Sequence, residues 1–457
     1  MRAQPVIAIF DVGKTNKKLF LFDQNYNIVY ERSARFLEIV DEDGDACENI
    51  ESLRLSVFDS LRHVFSKKEF CIKAINFSAY GASFVYLDDE GLPVAPLYNY
   101  LKEYPKELKE KFYQSYGGEE AFSLRTASPV LGSLNSGMQL YRMKYQKPAE
   151  FQKMKYALHL PQYLSYLISG KACSDITSIG CHTNLWDFSE NGYHEWVRKE
   201  GIDAKLAPLS SYDEVNKATF PGNNYVVGTG LHDSSAALIP YLVSFQEPFV
   251  LISTGTWCIS LNPFNDAPLT IDELKQDCLA YLQYQGHPVK ASRLFAGQDH
   301  EVGIKKIAEH FNQDAITYRT VEYQPAIIEK LQKQATLDGG SDTASFEQRD
   351  LQGYGSYEEA YHQLMLDIIN QQVQSTSLVL NGSPVKRLFV DGGFSKNSIY
   401  MNLLAAAFPH IEIYAASMAQ ATSMGAALAI HKAWNRKPVP TTLIQLQYYS
   451  AVQEMAV

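Results

Sequence analysis

Both halves of this 457-residue chain contain the same pattern, in which two short apolar runs flank a polar turn with glycine and threonine. The first copy covers residues 6–23 and the second covers residues 248–263. Apolar runs of four or five residues bounded by turn residues are typical of buried strands, so each copy predicts a β-hairpin. A unit that recurs at half-chain spacing indicates the duplication of one α/β domain.

The segments after each hairpin extend this pattern. The first half adds a strand, an amphipathic helix and two strands, predicted at residues 28–33, 50–65, 73–78 and 84–87. Another helix is predicted over residues 151–169, and Pro161 should start or kink it. The second half adds a helix, a strand and two helices, predicted at residues 357–380, 387–390, 397–407 and 423–429. We therefore predict two domains, residues 1–244 and 245–457, with a surface loop at 336–345.

The composition indicates which classes of binding partner and which cellular compartment to expect. A formal net charge of −10 disfavours nucleic acid or an anionic membrane as the main partner, because both select basic surfaces. The six cysteines form no CxxC pair and are interpreted as reduced thiols. The first apolar run is too short for a signal peptide, and no run reaches the roughly 18 residues of a membrane span. We expect a cytoplasmic monomer or homodimer.

The first polar turn carries groups suited to phosphate. Backbone N–H groups in such a turn bind phosphate oxygens, lysines add positive charge, and Asp11 is suited to hold a hydrated Mg²⁺. The alternative is an ordinary hairpin with a solvated basic tip. A P-loop is excluded, because Ala8 occupies the place of a required glycine and a strand is predicted to follow. The residues of the turn are Gly13, Lys14, Thr15, Asn16, Lys17 and Lys18.

Two glycine-containing turns in the second half offer similar chemistry. The hydroxyl and N–H groups of Thr254, Gly255 and Thr256 can contact a terminal phosphate, and opposite the first hairpin they would enclose one triphosphate. Gly392 and Gly393 follow a predicted strand and permit close approach of the backbone to a flat or anionic ligand. For each turn, the alternative is a tight connection without a ligand.

One acidic residue, Asp233, lies between a glycine-rich stretch and a predicted helix start. The functional interpretation is a carboxylate at the hinge between the domains, presented to a substrate hydroxyl. The alternative is that Asp233 or Ser234 simply caps the helix. The eleven histidines include no HExxH and no tight pair on one helix face, so they predict no metal site.

Taken together, these motifs resemble the FGGY carbohydrate kinases of the sugar kinase/actin/Hsp70 superfamily. Within that family, Tyr80-Gly81-Ala82-Ser83-Phe84 and His232-Asp233-Ser234 look most like the rhamnulokinase and fuculokinase branch. The phosphate, sugar, catalytic, second phosphate and adenosine motifs follow in order at residues 11–18, 78–88, 232–234, 253–257, and 391–397 with 421–427.

The resemblance implies an α/β fold of two actin-like (ribonuclease H-like) domains with the active site in the cleft between them. It implies ATP- and Mg²⁺-dependent phosphorylation of a sugar, chiefly a ketose such as L-rhamnulose or L-fuculose at its C1 hydroxyl. It makes Asp233 the catalytic base and places Asp11 on Mg²⁺ through water. The sugar is assigned to Tyr80, Gly81, His232 and Ser234. ATP is assigned to Gly13, Lys14, Thr15, Asn16, Lys17, Lys18, Thr254, Gly255, Thr256, Gly392, Gly393 and Asn397.

Two departures from the family pattern bear on function. Lys14 stands where a small or hydroxyl residue is usual, and we expect its ammonium near the β- or γ-phosphate; the alternative is that it points to solvent. The family's Asn-Glu-Gly-Gly segment is not recognisable, and a stretch that begins at Arg293 occupies its place. The sugar is therefore open: the alternatives are a xylulokinase- or ribulokinase-type kinase that acts on another ketose or polyol, and a non-sugar ATPase of the same fold.

Overall fold

The structure is a computed structural model that describes residues 3–14, 17–34, 38–222, 224–337, 346–418 and 420–450. Thr15 and Asn16, assigned above to ATP, and most of the predicted loop at 336–345 lie outside these residues. Strands and helices alternate in both halves, and the mixed α/β class predicted from the sequence is confirmed.

The first half contains one large sheet with helices and smaller strand pairs around it. Its strands are β1 (Gln4–Val12), β2 (Lys17–Asp23), β3 (Ile28–Ala34), β4 (Glu38–Val40), β5 (Ala46–Glu48), β6 (Phe70–Ala79), β7 (Phe84–Leu87), β8 (Tyr156–His159), β9 (Trp186–Asp187), β10 (Gly192–Tyr193), β11 (Val215–Lys217), β12 (Val226–Gly228) and β13 (Leu231–His232). Its helices are α1 (Ile50–Ser66), α2 (Lys106–Ser115), α3 (Glu119–Thr126), α4 (Ser136–Gln146), α5 (Pro148–Lys153), α6 (Leu160–Ser169), α7 (Ile176–Ile179), α8 (Glu195–Lys199) and α9 (Asp233–Ser244).

The second half contains a second large sheet. Its strands are β14 (Phe249–Thr254), β15 (Cys258–Asn262), β16 (Cys278–Leu282), β17 (Pro288–Leu294), β18 (Arg387–Gly392), β19 (Glu412–Ser417) and β20 (Gln445–Tyr449). Its helices are α10 (Ile271–Lys275), α11 (Ala296–His310), α12 (Pro325–Leu337), α13 (Tyr357–Leu380), α14 (Ser398–Ala407), α15 (Ala421–Ala429) and α16 (His431–Trp434).

The two sheets share one topology around the predicted hairpins. The first sheet has the order β11-β12-β6-β1-β2-β3, with β13 also paired to β6, and the second has the order β16-β17-β15-β14-β18-β19-β20. In the first, β1 runs antiparallel to β2 and parallel to β6. In the second, β14 runs antiparallel to β15 and parallel to β18. This correspondence supports the duplication inferred from the repeated pattern.

Helix α1 illustrates why the periodic segments were predictable. The side chain of Asn49 accepts a hydrogen bond from the N–H of Ser52 at 2.9 Å and so caps the helix. Its predicted apolar face is buried against the first sheet, through residues that include Leu53, Val57 and Leu61. Among the described residues, no helix combines the length and the apolar character needed to cross a membrane.

The helix predicted over residues 151–169 is wrong in its middle. Strand β8 separates helix α5 from helix α6 and pairs antiparallel with β7. Pro161 lies in the first turn of α6, where a missing N–H costs nothing. The partner of β8 is about seventy residues away in the chain, and such distant pairing overrides the local preference that periodicity measures.

Helix α15 returns from the second half to the first sheet. The carbonyl of Ala426 accepts a hydrogen bond from the side chain of Asn76 at 2.8 Å. Gly425 lies so close to helix α9 that an added Cβ would overlap the backbone of Ala236. This helix therefore joins the two halves across the cleft, and the boundary between residues 244 and 245 stays a prediction.

Candidate active site

Three neighbouring strands of the first sheet end at the same edge. Strand β6 runs parallel to β1 on one side and to β13 on the other. In this register Ser78 of β6 lies beside both Asp11 and Leu231. The next residues therefore leave the sheet together, and the N–H of Tyr80 donates to the carbonyl of Val12 at 3.1 Å. Ligands of α/β sheets bind outside such carboxyl ends. The edge collects Asp11, Tyr80, Gly81, His232 and Asp233.

Asp11 is a partly buried carboxylate at this edge. Its Oδ2 accepts hydrogen bonds from Thr422 Oγ1 at 2.6 Å and Ser423 Oγ at 2.9 Å, both on helix α15. Burial raises the pKa of Asp11, the two hydroxyls partly offset this, and the charge of Asp233 adds to the rise. Among the described residues its Oδ1 accepts no hydrogen bond. A carboxylate that keeps one oxygen available fits a hydrated Mg²⁺.

Asp233 is the first residue of helix α9, and its side chain is 30% exposed. Its Oδ1 accepts from the N–H of Ser234 at 2.6 Å and lies 3.3 Å from His232 Nε2. In the described part of the chain, Oδ2 accepts no hydrogen bond. His232 occupies the N-cap position without a capping bond, so neither Asp233 nor Ser234 is the cap that the alternative interpretation required.

Gly81 and His232 pack directly against each other. A Cβ added to Gly81 would lie 2.8 Å from Cδ2 of His232, so only glycine leaves room for the ring. The ring of His232 is buried, and its Nε2 also lies 3.3 Å from Cys181 Sγ. Tyr80 is buried next to this pair. These residues form one wall of the site.

The lysines of the first hairpin pair with carboxylates. Glu48 is buried, and its carboxylate lies 3.2 Å from Lys17 Nζ and 3.7 Å from Lys14 Nζ. Lys18 contacts Glu31 at 2.7 Å. Lys14 therefore does not point freely into solvent: its side chain is 27% exposed. Its ammonium lies 5.6 Å from the ring centre of Tyr80 and 5.9 Å from that of Tyr100.

The second hairpin is tied to the turn after β18. The carbonyl and hydroxyl oxygens of Thr254 accept hydrogen bonds from the N–H groups of Gly393 and Phe394, each at 3.0 Å. Gly392 has φ +93°, and an added Cβ there would overlap the carbonyl oxygen of Thr254. Gly392 thus makes a close approach to this strand, and its assignment to ATP stays a prediction. Gly255, Thr256 and Gly393 are exposed, and an added Cβ at Gly393 would meet nothing within 4 Å.

Asn397 uses its polar atoms within the protein. Its Oδ1 caps helix α14 by accepting from the N–H groups of Ile399 and Tyr400, at 3.0 and 3.1 Å. Its Nδ2 donates to the hydroxyl of Tyr361 at 2.7 Å. The sequence assigned Asn397 to ATP, and that assignment stays a prediction.

Several polar residues of the site were missed. Arg293 donates to Asp277 at 2.6 and 3.0 Å, and its guanidinium lies 5.5 Å from the ring centre of Trp257 at the second hairpin. The charge of Arg293 also influences the pKa of Cys181 beside His232. The neighbouring Asp and Arg of β16–β17 carry no recognisable motif, whereas Thr422 and Ser423 could have been found through their place in the adenosine segment.

Comparison with known proteins places this geometry in a family. Residues 6–212 match the N-terminal domain of the FGGY family of carbohydrate kinases, and residues 246–438 match the C-terminal domain. A rhamnulokinase of Mannheimia succiniciproducens is 24% identical over 263 residues, which cover 55% of this chain and 52% of the relative. A rhamnulokinase of Halalkalibacterium halodurans is 24% identical over 54% of each chain. The matched segment thus spans about half the length of these curated relatives.

Solved structures agree over nearly the whole chain. A carbohydrate kinase from Novosphingobium aromaticivorans superposes with a TM-score of 0.81 at 22% identity, covering 99% of this chain and 95% of the other. A xylulose kinase from Lactobacillus acidophilus gives 0.76 at 15% identity, covering 98% and 94%. Identities this low establish the fold alone, which is the expected fold of two actin-like domains. The two domain matches together show that the chain belongs to the FGGY family of carbohydrate kinases.

Proposed function

We propose that this protein is an ATP-dependent kinase that phosphorylates a sugar, most of all a ketose such as L-rhamnulose or L-fuculose at its C1 hydroxyl. The observation that carries the proposal is Asp233, a partly exposed carboxylate with one oxygen fixed by Ser234 and His232 and the other without a hydrogen bond among the described residues. The family membership and the edge of strand ends around Asp233 support the same reaction.

The proposed mechanism assigns each side of the cleft a task. Phosphoryl transfer proceeds through a loose, in-line transition state, so positioning and charge stabilisation dominate. Asp233 orients the sugar hydroxyl and accepts its proton late in the transfer. Gly81, Tyr80, His232 and Ser234 line the sugar. Movement of the two domains around the ligands would exclude water and limit ATP hydrolysis.

ATP and Mg²⁺ are assigned to the turns. Mg²⁺ supplies positive charge to the phosphates, and Asp11 would hold it through water with the oxygen that Thr422 and Ser423 leave available. The exposed turns at Gly255 and Gly393 and the partly buried Gly13 are assigned to phosphate and adenosine, because the backbone N–H groups of such turns bind anions. The remaining assigned groups are Lys14, Thr15, Asn16, Lys17, Lys18, Thr254, Thr256, Gly392 and Asn397.

The choice of sugar rests on the relatives. Rhamnulokinases are the named curated relatives, whereas solved structures of similar fold include xylulose and gluconate kinases. D-Xylulose is therefore the second candidate. A non-sugar ATPase is the alternative from another class, and it predicts turnover without any sugar.

The test is ATP consumption measured in a coupled assay with L-rhamnulose, L-fuculose, D-xylulose, L-ribulose, D-ribulose and gluconate. We expect turnover to require sugar and kcat/KM to be highest for L-rhamnulose or L-fuculose. The highest value for D-xylulose would replace the proposed substrate and keep the reaction. ATP turnover that no sugar stimulates would reject the kinase.

A further inference from the structure

The imidazole of His232 is held by protein groups at both nitrogens. Nδ1 lies 3.3 Å from Ser235 Oγ, one helical turn into α9. Nε2 lies 3.3 Å from Cys181 Sγ and 3.3 Å from Oδ1 of Asp233. The backbone N–H of His232 donates to Thr177 Oγ1 at 3.0 Å. His232 therefore stands between a serine and the proposed base.

The ring has little freedom to turn. The rings of His182 and Tyr281 pack edge-on against it, with centres 6.4 and 5.9 Å away. Gly81 closes a third side, since its backbone lies against Cδ2. The orientation of the ring is thus fixed by packing, and what remains to be set is which nitrogen carries the proton.

Burial lowers the pKa of His232 below its ordinary value, with the charge of Asp233 opposing the shift, so the ring is neutral near pH 7 and carries one N–H. A proton on Nε2 faces the carboxylate of Asp233, which is favourable. A proton on Nδ1 would instead turn the Nε2 lone pair toward that carboxylate, and only the weak S–H donor of Cys181 would be left to satisfy it.

We propose that Ser235 is a positioning residue that sets this tautomer by donating its hydroxyl proton to Nδ1 of His232. The proton then stays on Nε2 and orients the carboxylate of Asp233 through Oδ1, which leaves Oδ2 to receive the sugar proton. This inference rests on the proposed function. In the reaction, the proton of the sugar hydroxyl passes to Asp233. The oxygen of that hydroxyl bonds to the γ-phosphorus of ATP, and the bond between the γ-phosphorus and ADP breaks.

One competing acceptor lies across the domain cleft. The carbonyl of Leu282, on strand β16 of the second half, is 3.5 Å from Ser235 Oγ. If Ser235 donated its hydroxyl proton to this carbonyl, its oxygen would accept a hydrogen bond from Nδ1–H of His232. The ring would then carry its proton on Nδ1, which is the opposite tautomer. The shorter contact to Nδ1, at 3.3 Å, favours donation to His232. The hydroxyl of Ser235 therefore contacts both the neighbour of the proposed base and a strand of the second half.

The kinetic test compares Ser235→Ala with Ser235→Thr and with Ser244→Ala, a control at the far end of the same helix. We expect Ser235→Ala to lower kcat about 10- to 100-fold on the best sugar, because small misplacements of a reacting group cost that much. The sugar KM should change less than about twofold. Ser235→Thr should restore most of kcat, and Ser244→Ala should match the wild type. A kcat of Ser235→Ala within twofold of wild type would overturn the proposal.

The second measurement does not need turnover. ¹⁵N chemical shifts of the histidine rings in the ligand-free wild type, with His232→Gln to assign the signal, report which nitrogen is protonated. We expect Nε2–H in the wild type, and a wild-type signal from Nδ1–H would reject the proposal. If no sugar is turned over, the proposed function fails, and this spectrum still decides the tautomer.

Discussion

The two hairpins have the same topology and opposite chemistry. The first turn is basic, and its described lysines pair with carboxylates at 2.7 to 3.9 Å, two of them on the buried Glu48. The second turn has no lysine, and its Thr254 is hydrogen-bonded to the turn after β18. One turn is organised by charge, and the other by backbone.

The difference teaches how a duplicated unit divides one task. In the first half the carboxylates Asp11 and Asp233 stand at the sheet edge, and the lysines of the turn are balanced by Glu48 and Glu31, so Mg²⁺ is the proposed counter-charge for phosphate. In the second half the exposed Gly255 and Gly393 donate their N–H groups to the carbonyl oxygens of Trp257 and Thr254, and Asp391 accepts from the N–H of Gly392. We infer that the first half performs the chemistry and that the second half holds the nucleotide.

The largest effect should come from the base in the first half. Asp233→Asn is expected to lower kcat about 10²- to 10⁴-fold, because a catalytic base typically contributes that much. The melting temperature and ATP binding should stay near wild type, since the amide oxygen can still accept from the N–H of Ser234. Steady-state kinetics on the best sugar measure the change, and Ser244→Ala serves as the control. Wild-type turnover would reject Asp233 as the base.

The next effect concerns the metal. Asp11→Asn should lower kcat about 10²-fold by weakening the hold on Mg²⁺, whose charge is worth several kcal/mol in phosphoryl transfer. Because burial raises the pKa of Asp11, its charge reduces the free energy of unfolding as pH rises through the ordinary carboxyl range, and that loss persists at pH 7. The ligand-free variant should therefore melt no lower than wild type, as measured by differential scanning fluorimetry.

A titration distinguishes metal loss from damage to the fold. Added MgCl₂ with ADP should raise the melting temperature of the wild type more than that of Asp11→Asn. Equal shifts in both proteins would place the metal elsewhere.

The sequence alone predicted those features of the two hairpins that depend on residues close together in the chain. Apolar runs around polar turns predicted both hairpins, and α13 begins and ends where its periodicity indicated. The turn glycines were found as well, although the sequence did not show that the left-handed backbone of Gly392 lies against Thr254. The sequence shows where a glycine stands in a turn, but it does not show which neighbouring residue requires a glycine there.

What sequence could not foretell are contacts between distant segments. Glu48 meets Lys17 and Lys14 only because β5 folds over the first hairpin, and no local pattern marks it. Strand β8 was hidden in an expected helix for the same reason, since its partner β7 is far away in the chain. Ser235 looked like an ordinary helix residue until the ring of His232 was placed beside it.

The third prediction tests the second half as a nucleotide holder. Gly393→Val adds a side chain where nothing lies within 4 Å and the backbone is not left-handed, so the fold should tolerate it. If adenosine lies there, the ATP KM should rise at least about tenfold, a loss near 1.4 kcal/mol. Sugar binding measured without ATP should be unchanged. Lost sugar binding with normal ATP affinity would reverse the proposed division between the halves.

A neighbouring glycine supplies the contrast. Gly392→Ala forces a Cβ into the carbonyl of Thr254 at a positive φ, so it should lower the melting temperature of the ligand-free protein. A stable Gly393→Val with weak ATP binding, beside a destabilised Gly392→Ala, would separate a ligand contact from a structural one.

The smallest effect is expected at Lys14. Its ammonium is shared with Glu48 at 3.7 Å and Glu38 at 3.9 Å, so less of its charge is available to a phosphate than a free lysine would offer. We therefore expect Lys14→Ala to raise the ATP KM and lower kcat by about two- to fivefold each. This effect is smaller than the one expected for Asp11→Asn, because nearby carboxylates already balance the charges of the lysines in this hairpin.

Lys67 is a matched control for Lys14. Its ammonium also lies 3.7 Å from a glutamate, Glu69, and 4.9 Å from a tyrosine ring centre, and its side chain is 26% exposed against 27% for Lys14. Both alanine variants should cost at most about 1 kcal/mol of unfolding free energy, as partly exposed ion pairs do. Only Lys14→Ala should change the kinetics if its ammonium reaches the phosphates. Identical kcat and ATP KM in the two variants would show that Lys14 serves Glu48 and the tyrosines alone. The first hairpin would then bind phosphate through its backbone, as the second is proposed to do, and the contrast between the two turns would disappear.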